Sequence, residues 1–296
     1  MQEFYILPFF MKSNNQFLVF NIVFFFFTYL VGRNILIITV ICLDVQLHTP
    51  MYFFLCNLAI VDICYTTVTV PNLLYILLSG ADTMSTTQCL IQLFFFLVGG
   101  TGEDTVILVM AYDRYVAICH PLHYHRILKK KICILLMAVI WVCAFVNSSL
   151  LVNSVLKMFF CSSTTIHQFF CDVKAIINIS CGGTDMFYLL MYANFLVFGF
   201  FPSVCNLISY VKVIRVILGI KSKDGRSKAF STCSSHLTVM AVYYGSAMSV
   251  YLIPPSEHYN LLEQILTTFY TTIVPMLNPL IYSLRNKEMK RSVRQV

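Results

Sequence analysis

The sequence predicts an all-α membrane protein, a bundle of seven transmembrane helices with a short amphipathic helix after the last. Three observations predict it. The 296-residue chain is 58% hydrophobic and only 11% charged, whereas a soluble domain carries about 25% charged residues. Apolar stretches long enough to cross about 30 Å of hydrocarbon, at about 1.5 Å per residue, recur seven times along it. The basic residues gather in a few short loops, the asymmetry that sets membrane topology.

The spans are expected at 17–43, 51–79, 89–118, 132–152, 187–218, 230–253 and 261–283. Pro71, Pro202, Pro275 and Pro279 interrupt several of them. Membrane bundles tolerate this because neighbouring groups satisfy the freed carbonyls. Sixteen of the twenty Lys and Arg residues follow the third span, flank the loop after the fifth, or lie in the tail. The positive-inside rule therefore places residues 1–16 and the long loop 153–186 outside the cell, and the tail 284–296 in the cytoplasm. An odd number of spans is the count that agrees. The opening "MQEFYILPFF" has neither a basic n-region nor a small-residue cleavage site, so the first span is expected to serve as its own insertion signal. A single multi-pass domain, 1–296, in the plasma membrane is the simplest organisation.

Several function classes fall away. The net charge of +7 belongs to topology and to anionic lipid rather than to nucleic acid. A transporter should show an internal repeat and broken half-helices near the midplane, and the halves share no repeat. An enzyme should show a spaced nucleophile, base and oxyanion donors; none converge, and Cys233 with His236 sits at a cytoplasmic helix end.

The ionisable residues inside the spans need reasons. "MAYDRYVAICHPLHY" (110–124) puts Asp113 and Arg114 at the cytoplasmic mouth of span three, where the pair reaches water. An interfacial anchor is the plain reading of such a pair. Asp62 lies within span two, and Glu103 and Asp104 within span three. A charge at that depth costs about 2.5–3.5 kcal/mol on insertion scales, so these carboxyls are paired, protonated or functional.

Eight of the twelve cysteines lie in or beside spans, where they act as small hydrophobes. Cys89, Cys161, Cys171 and Cys181 face the oxidising side; four cysteines allow three pairings, which spacing does not choose between. Cys119, His120, His123 and His125 have loosely metal-like spacing, but Pro121 and a tight turn argue for a plain loop. Asn178-Ile-Ser is a glycosylation sequon in the outer loop; Asn147-Ser-Ser lies in the fourth span and is expected to be unused.

Four stretches stand in a telling order: "LHTPMYFFLCNLAIVD" (47–62), "MAYDRYVAICHPLHY" (110–124), "KAFSTCSSHL" (228–237) and "PMLNPLIYSLRN" (275–286). With these blocks in register the chain resembles a rhodopsin-like (class A) G-protein-coupled receptor, and within that class the olfactory (odorant) receptors, over essentially its whole length. The resemblance implies a resting contact between Asp113 and Arg114 that is released when span six swings outward. Arg114 then meets the G protein while Tyr210 and Tyr282 turn in to support it. Tyr115, His236, Asn278 and Pro279 belong to the same coupling apparatus. It also implies disulfides Cys89–Cys171 and Cys161–Cys181.

The resemblance further implies a polar pocket of Asn34, Asp62, Glu103 and Asn278 that holds a sodium ion and stabilises the resting state; no other cofactor is expected. Two residues depart from the family pattern. Arg33 replaces a small glycine beside Asn34, and could pair with Asp62 and displace the ion. Asp104 either adds a negative group to the cavity floor or is neutral and hydrogen-bonded.

By the same resemblance the odorant cavity lies between spans three, five and six. Leu97, Gly100 and Thr101 are expected to line it from span three, and Asn194, Phe195 and Phe198 from span five. Tyr244 forms its floor and trigger, followed by Ala247, Met248 and Tyr251 at helical i, i+3, i+4, i+7 spacing. Phe96 and its neighbours are apolar where an amine receptor carries an aspartate. The walls suit a small, hydrophobic volatile guest. With no basic residue among them, aldehydes, ketones, alcohols or esters are favoured over acids. The expected partner is a stimulatory G protein of olfactory type that raises cyclic AMP.

Overall fold

The computed structural model describes residues 3–6, 16–80, 83–160, 165–166, 168–251 and 287–293, with positions 262, 265–267, 269, 271, 275 and 278 between the last two stretches. Among these residues, five helical runs are long and apolar enough to cross a membrane. They are α1 (Gln16–Leu43), α2 (Pro50–Ser79), α3 (Thr86–Cys119), α5 (Lys130–Val155) and the run Asp185–Gly219. A one-turn helix, α4 (Tyr124–Ile127), bridges α3 and α5, and α6 (Val173–Asn178) lies in the outer loop. The fifth run divides into α7 (Asp185–Asn194), a π-helical turn (Phe195–Phe200) and α8 (Phe201–Gly219).

The sixth expected span falls on α9 (Lys223–Tyr251), a long helix whose serines, threonines and glycines dilute its apolar character. It is not among the five apolar runs. The seventh, 261–283, lies largely outside the described residues. A short helix, α10 (Lys287–Val293), follows it.

Local chemistry explains the helix ends. Pro50 opens α2, where its missing N–H costs nothing, and Gly80 closes it at φ 67°, a left-handed cap that suits glycine. Ser85 and Gln88 form a reciprocal capping box on α3: the Gln88 amide donates to Ser85 Oγ at 3.3 Å, and the Ser85 amide to Gln88 Oε1 at 3.1 Å. Pro202, just inside α8, cannot donate to the preceding turn, and the π turn directly before it takes up the mismatch.

Helix α3 is central and packs on α2, α5 and α8. Its close approach to α2 requires glycine: a Cβ on Gly99 would stand 2.5 Å from Tyr65 Cδ2. The inner core joins α1, α2, α3, α5 and α9 around Leu58, Val106 and Tyr243, and Met289 of α10 is buried in it. Ser292 of α10 donates to the Asp44 carboxylate in the α1–α2 loop. That bond, with the Gln46 amide, holds the Asp44 carboxyl below its usual range.

The outer end has its own core. Strand β1 (Glu3–Ile6) pairs antiparallel with β2 (Thr83–Ser85), with Phe4 opposite Met84. On its other edge it pairs parallel with Thr165–Ile166. Phe4 and Ile6 are each 1% exposed. A disulfide joins Cys89 to Cys171, tying the outer loop to the start of α3. Gln92, one turn on, accepts from the Cys171 amide at 2.8 Å and donates to the Val68 carbonyl at 2.9 Å. Asn72 of α2 donates to the Phe169 carbonyl at 3.1 Å. Cys181 is also disulfide-bonded; Cys161 lies outside the described residues.

Candidate ligand cavity and coupling site

Polar groups gather at three depths along the helices. Nearest the outer end, Asn147 of α5 reaches across two neighbours. Its amide nitrogen lies 3.2 Å from Thr101 Oγ1 on α3 and 2.9 Å from Asn194 Oδ1 on α7. One side chain thus connects two residues that the sequence assigns to the cavity. Leu97 packs half-buried against the outer core, and Gly100 lies 4.0 Å, measured from a built Cβ, from the Tyr65 ring. Phe198 is half-buried.

Phe195, assigned to the same cavity by the sequence, is 60% exposed. The π turn begins at this residue and changes the rotation per residue along the run. On α9, Tyr244 Oη accepts a 2.8 Å hydrogen bond from Asn206 of α8, so it bridges the two helices. Beside it, Tyr243 lies close enough to act on the Asp104 carboxyl. Ala247, Met248 and Tyr251 follow on α9, with side chains outside the described set.

At mid-depth, Asn278 donates to both carboxyls. Its Nδ2 lies 3.2 and 3.4 Å from the Asp62 oxygens and 3.2 Å from Glu103 Oε1. Asp62 and Glu103 are each 1% exposed, and one amide cannot balance two buried carboxylates. Asn34 is also 1% exposed, and its Oδ1 accepts nothing among the described residues. An oxygen-rich set short of donors fits a hard cation or shared protons. Arg33 lies with its guanidinium over the Tyr29 ring at 5.9 Å, while Asp62 is engaged by Asn278.

At the cytoplasmic end, Asp113 is fully buried and its Oδ2 lies 2.9 Å from Arg114 Nη2. Its other oxygen accepts a 2.7 Å hydrogen bond from the Tyr124 hydroxyl. Burial and the Asp113 carboxylate both push the Tyr124 phenol above its usual range. Tyr210 of α8 and His236 of α9 stack at 5.4 Å, with hydroxyl and Nδ1 2.5 Å apart. Tyr115 meets His120 at 3.2 Å, and the Lys212 ammonium lies over its ring at 5.4 Å. Asp113, Arg114 and Tyr115 therefore sit together, while Tyr210 and His236 form a separate pair joining α8 to α9. Pro279 and Tyr282 lie outside the described residues. The Cys119–His125 segment forms no metal-holding group of three or more ligands among the described residues. Asn178 closes α6.

Sequence reasoning missed Tyr124, Asn147, Gln92 and Asn206. Asn147 carried a signal: an amide inside an apolar span pairs across helices, because lipid offers it nothing.

Comparison with known proteins gives a consistent result. A family model described as olfactory receptor matches residues 22–296. Human olfactory receptor 1M1 is 41% identical over 287 residues, covering 96% of this chain and 91% of its own. Human olfactory receptor 1C1 is 42% identical, covering 89% of this chain and 84% of its own. Gorilla olfactory receptor 1G1 is 41% identical, covering 99% and 94%.

Proposed function

The chain belongs to the olfactory receptor family, and from that premise we propose that it binds small, mainly hydrophobic, uncharged volatiles within a seven-helix bundle and activates a stimulatory G protein of olfactory type, raising cyclic AMP. As a member it is a multi-pass membrane protein of a receptor family rather than an enzyme. In this reading the N-terminus is extracellular, the tail is cytoplasmic, and the protein resides in the plasma membrane.

The observation that carries the proposal is the closed arrangement at the cytoplasmic end. Arg114 is held by Asp113, Asp113 is held by Tyr124, and α9 is held to α8 through His236 and Tyr210. Outward movement of α9 breaks the last contact and opens the cytoplasmic end, where Arg114, on leaving Asp113, meets a partner. A ligand drives that movement only by its difference in affinity between the two packings. Tyr244 is suited to sense it, because it is bonded across the same α8–α9 boundary. The ligand meets the polar atoms of Thr101, Asn147 and Asn194 and otherwise apolar walls, which favours one hydrogen-bonding group on a hydrocarbon body.

Asn34, Asp62, Glu103 and Asn278 would hold a sodium ion, whose charge offsets the two carboxylates and favours the resting packing. The test is a cyclic-AMP reporter screen of chemically sorted volatiles, with Arg114→Ala at matched surface level. Aldehydes, ketones, alcohols or esters activate wild type and not the variant. Activation by carboxylic acids alone contradicts the ligand class, and an unchanged variant contradicts the coupling.

A further inference from the structure

A cavity lies at the outer end, and Thr101, Asn194 and Tyr244 are not among its walls. It measures about 200 Å³. Its walls come from separate stretches of chain and are mainly apolar: Phe4 of β1, Leu90 of α3, Val155 at the end of α5, Met158 and Phe160 just beyond, and Ile176 of α6, with Thr86 at the start of α3 adding a hydroxyl-bearing side chain. No charged side chain lines it among the described residues.

The walls are pinned. The Cys89–Cys171 disulfide fixes α3 to the loop that carries α6. Strand β1 is hydrogen-bonded on both edges, and the Phe4 ring meets Phe160 edge-on at 5.6 Å. Such walls resist collapse, so the space is preformed rather than opened by a guest. An apolar cavity of roughly 150 Å³ lined by Leu, Ile and Phe stays dry and binds benzene. One of about 200 Å³ takes an uncharged guest of roughly six to ten heavy atoms.

We propose that this cavity is a second, outer ligand site for a small uncharged apolar molecule, with Phe4 of β1 as its cover. The occupant follows from the walls: with no charge to satisfy, they reject ions, and the volume rejects lipid chains and peptides. The site is distinct from the interior ligand site proposed above, and its occupancy does not require a G protein.

Photolabelling of the full chain in lipid nanodiscs tests this, with a short alkyl diazirine as probe, cyclohexane as competitor and peptide mass spectrometry as readout. The expected result is saturable labelling at Leu90, Met158 and Ile176 that cyclohexane competes away. That labelling should be lost in Val155→Phe and in Ile176→Phe, each of which fills the space. Phe4→Ala should keep the labelling and weaken its competition. Labelling of these positions that never saturates in the unsubstituted protein overturns the proposal whatever the variants do. So does saturable labelling that persists in a filled variant. Neither outcome bears on cyclic-AMP signalling, so failure here is separable from failure of the receptor reading.

Discussion

The Tyr124 hydroxyl donates a 2.7 Å hydrogen bond to Asp113 Oδ1, on the carboxylate whose other oxygen faces Arg114 at 2.9 Å. The Asp113 oxygen facing Arg114 accepts no directed hydrogen bond among the described residues, so that contact is held by charge. Tyr124 therefore orients the carboxylate against the arginine.

Removing the hydroxyl should loosen the resting state. A hydrogen bond to a charged group contributes about 1.5–3 kcal/mol, so Tyr124→Phe is expected to raise ligand-independent cyclic AMP by roughly tenfold if the lower end of that range is lost, in cells matched for surface receptor. Because the phenol is pushed upward, the donor form persists below that raised value and is lost only as pH rises through it. Basal signalling should then show no step from this bond between about pH 6 and about pH 9.

Asn147 ties α5 to both α3 and α7. Interhelical hydrogen bonds in membranes contribute about 0.6–1.7 kcal/mol. Asn147→Ala is thus expected to weaken the response to an oxygen-bearing agonist by roughly threefold to twentyfold. The response to a pure hydrocarbon agonist should shift less, and dose–response curves for the two agonists make the comparison.

Gly99 leaves no room for a methyl group against Tyr65, which is 1% exposed and packs on Phe96 at 4.9 Å. Overpacking of this kind costs about 1–3 kcal/mol. Gly99→Ala should lower the thermal unfolding midpoint of the purified protein. Adding Tyr65→Leu should recover part of the loss, since the two sites are in contact and their effects do not add.

The proposed sodium site predicts that the resting state is cation-sensitive. Replacing sodium with choline in the medium should raise basal activity or sharpen agonist potency, and Asp62→Ala should abolish that dependence. Absence of any sodium effect in the unsubstituted receptor removes the ion from the account.

Some of this was legible in the sequence because its cause is local or compositional. The first five spans follow from hydrocarbon thickness and runs of apolar residues, and the helices run within a few residues of them. Asp113 and Arg114 are neighbours in the chain, so their meeting needed no fold. The Cys89–Cys171 bridge was reached through resemblance, since spacing alone left three pairings open. Contacts between distant residues, beyond those the resemblance supplied, were not legible. Strand β1 takes its partners from two loops more than seventy residues away, and nothing within "EFYI" specifies them. The π turn at Phe195–Phe200 was not legible either, because no local residue signal announces it and only the backbone reveals it. Asn147 was read as an idle sequon, when its value lies in what two other helices bring to it.

The most direct test is nucleotide exchange on a purified stimulatory G protein, with this receptor in nanodiscs and an uncharged volatile found in the reporter screen. The account requires the odorant to accelerate exchange, with the acceleration abolished in Arg114→Ala while odorant binding is retained. Odorant binding without acceleration, or an Arg114→Ala receptor that accelerates exchange as well as its parent, contradicts it.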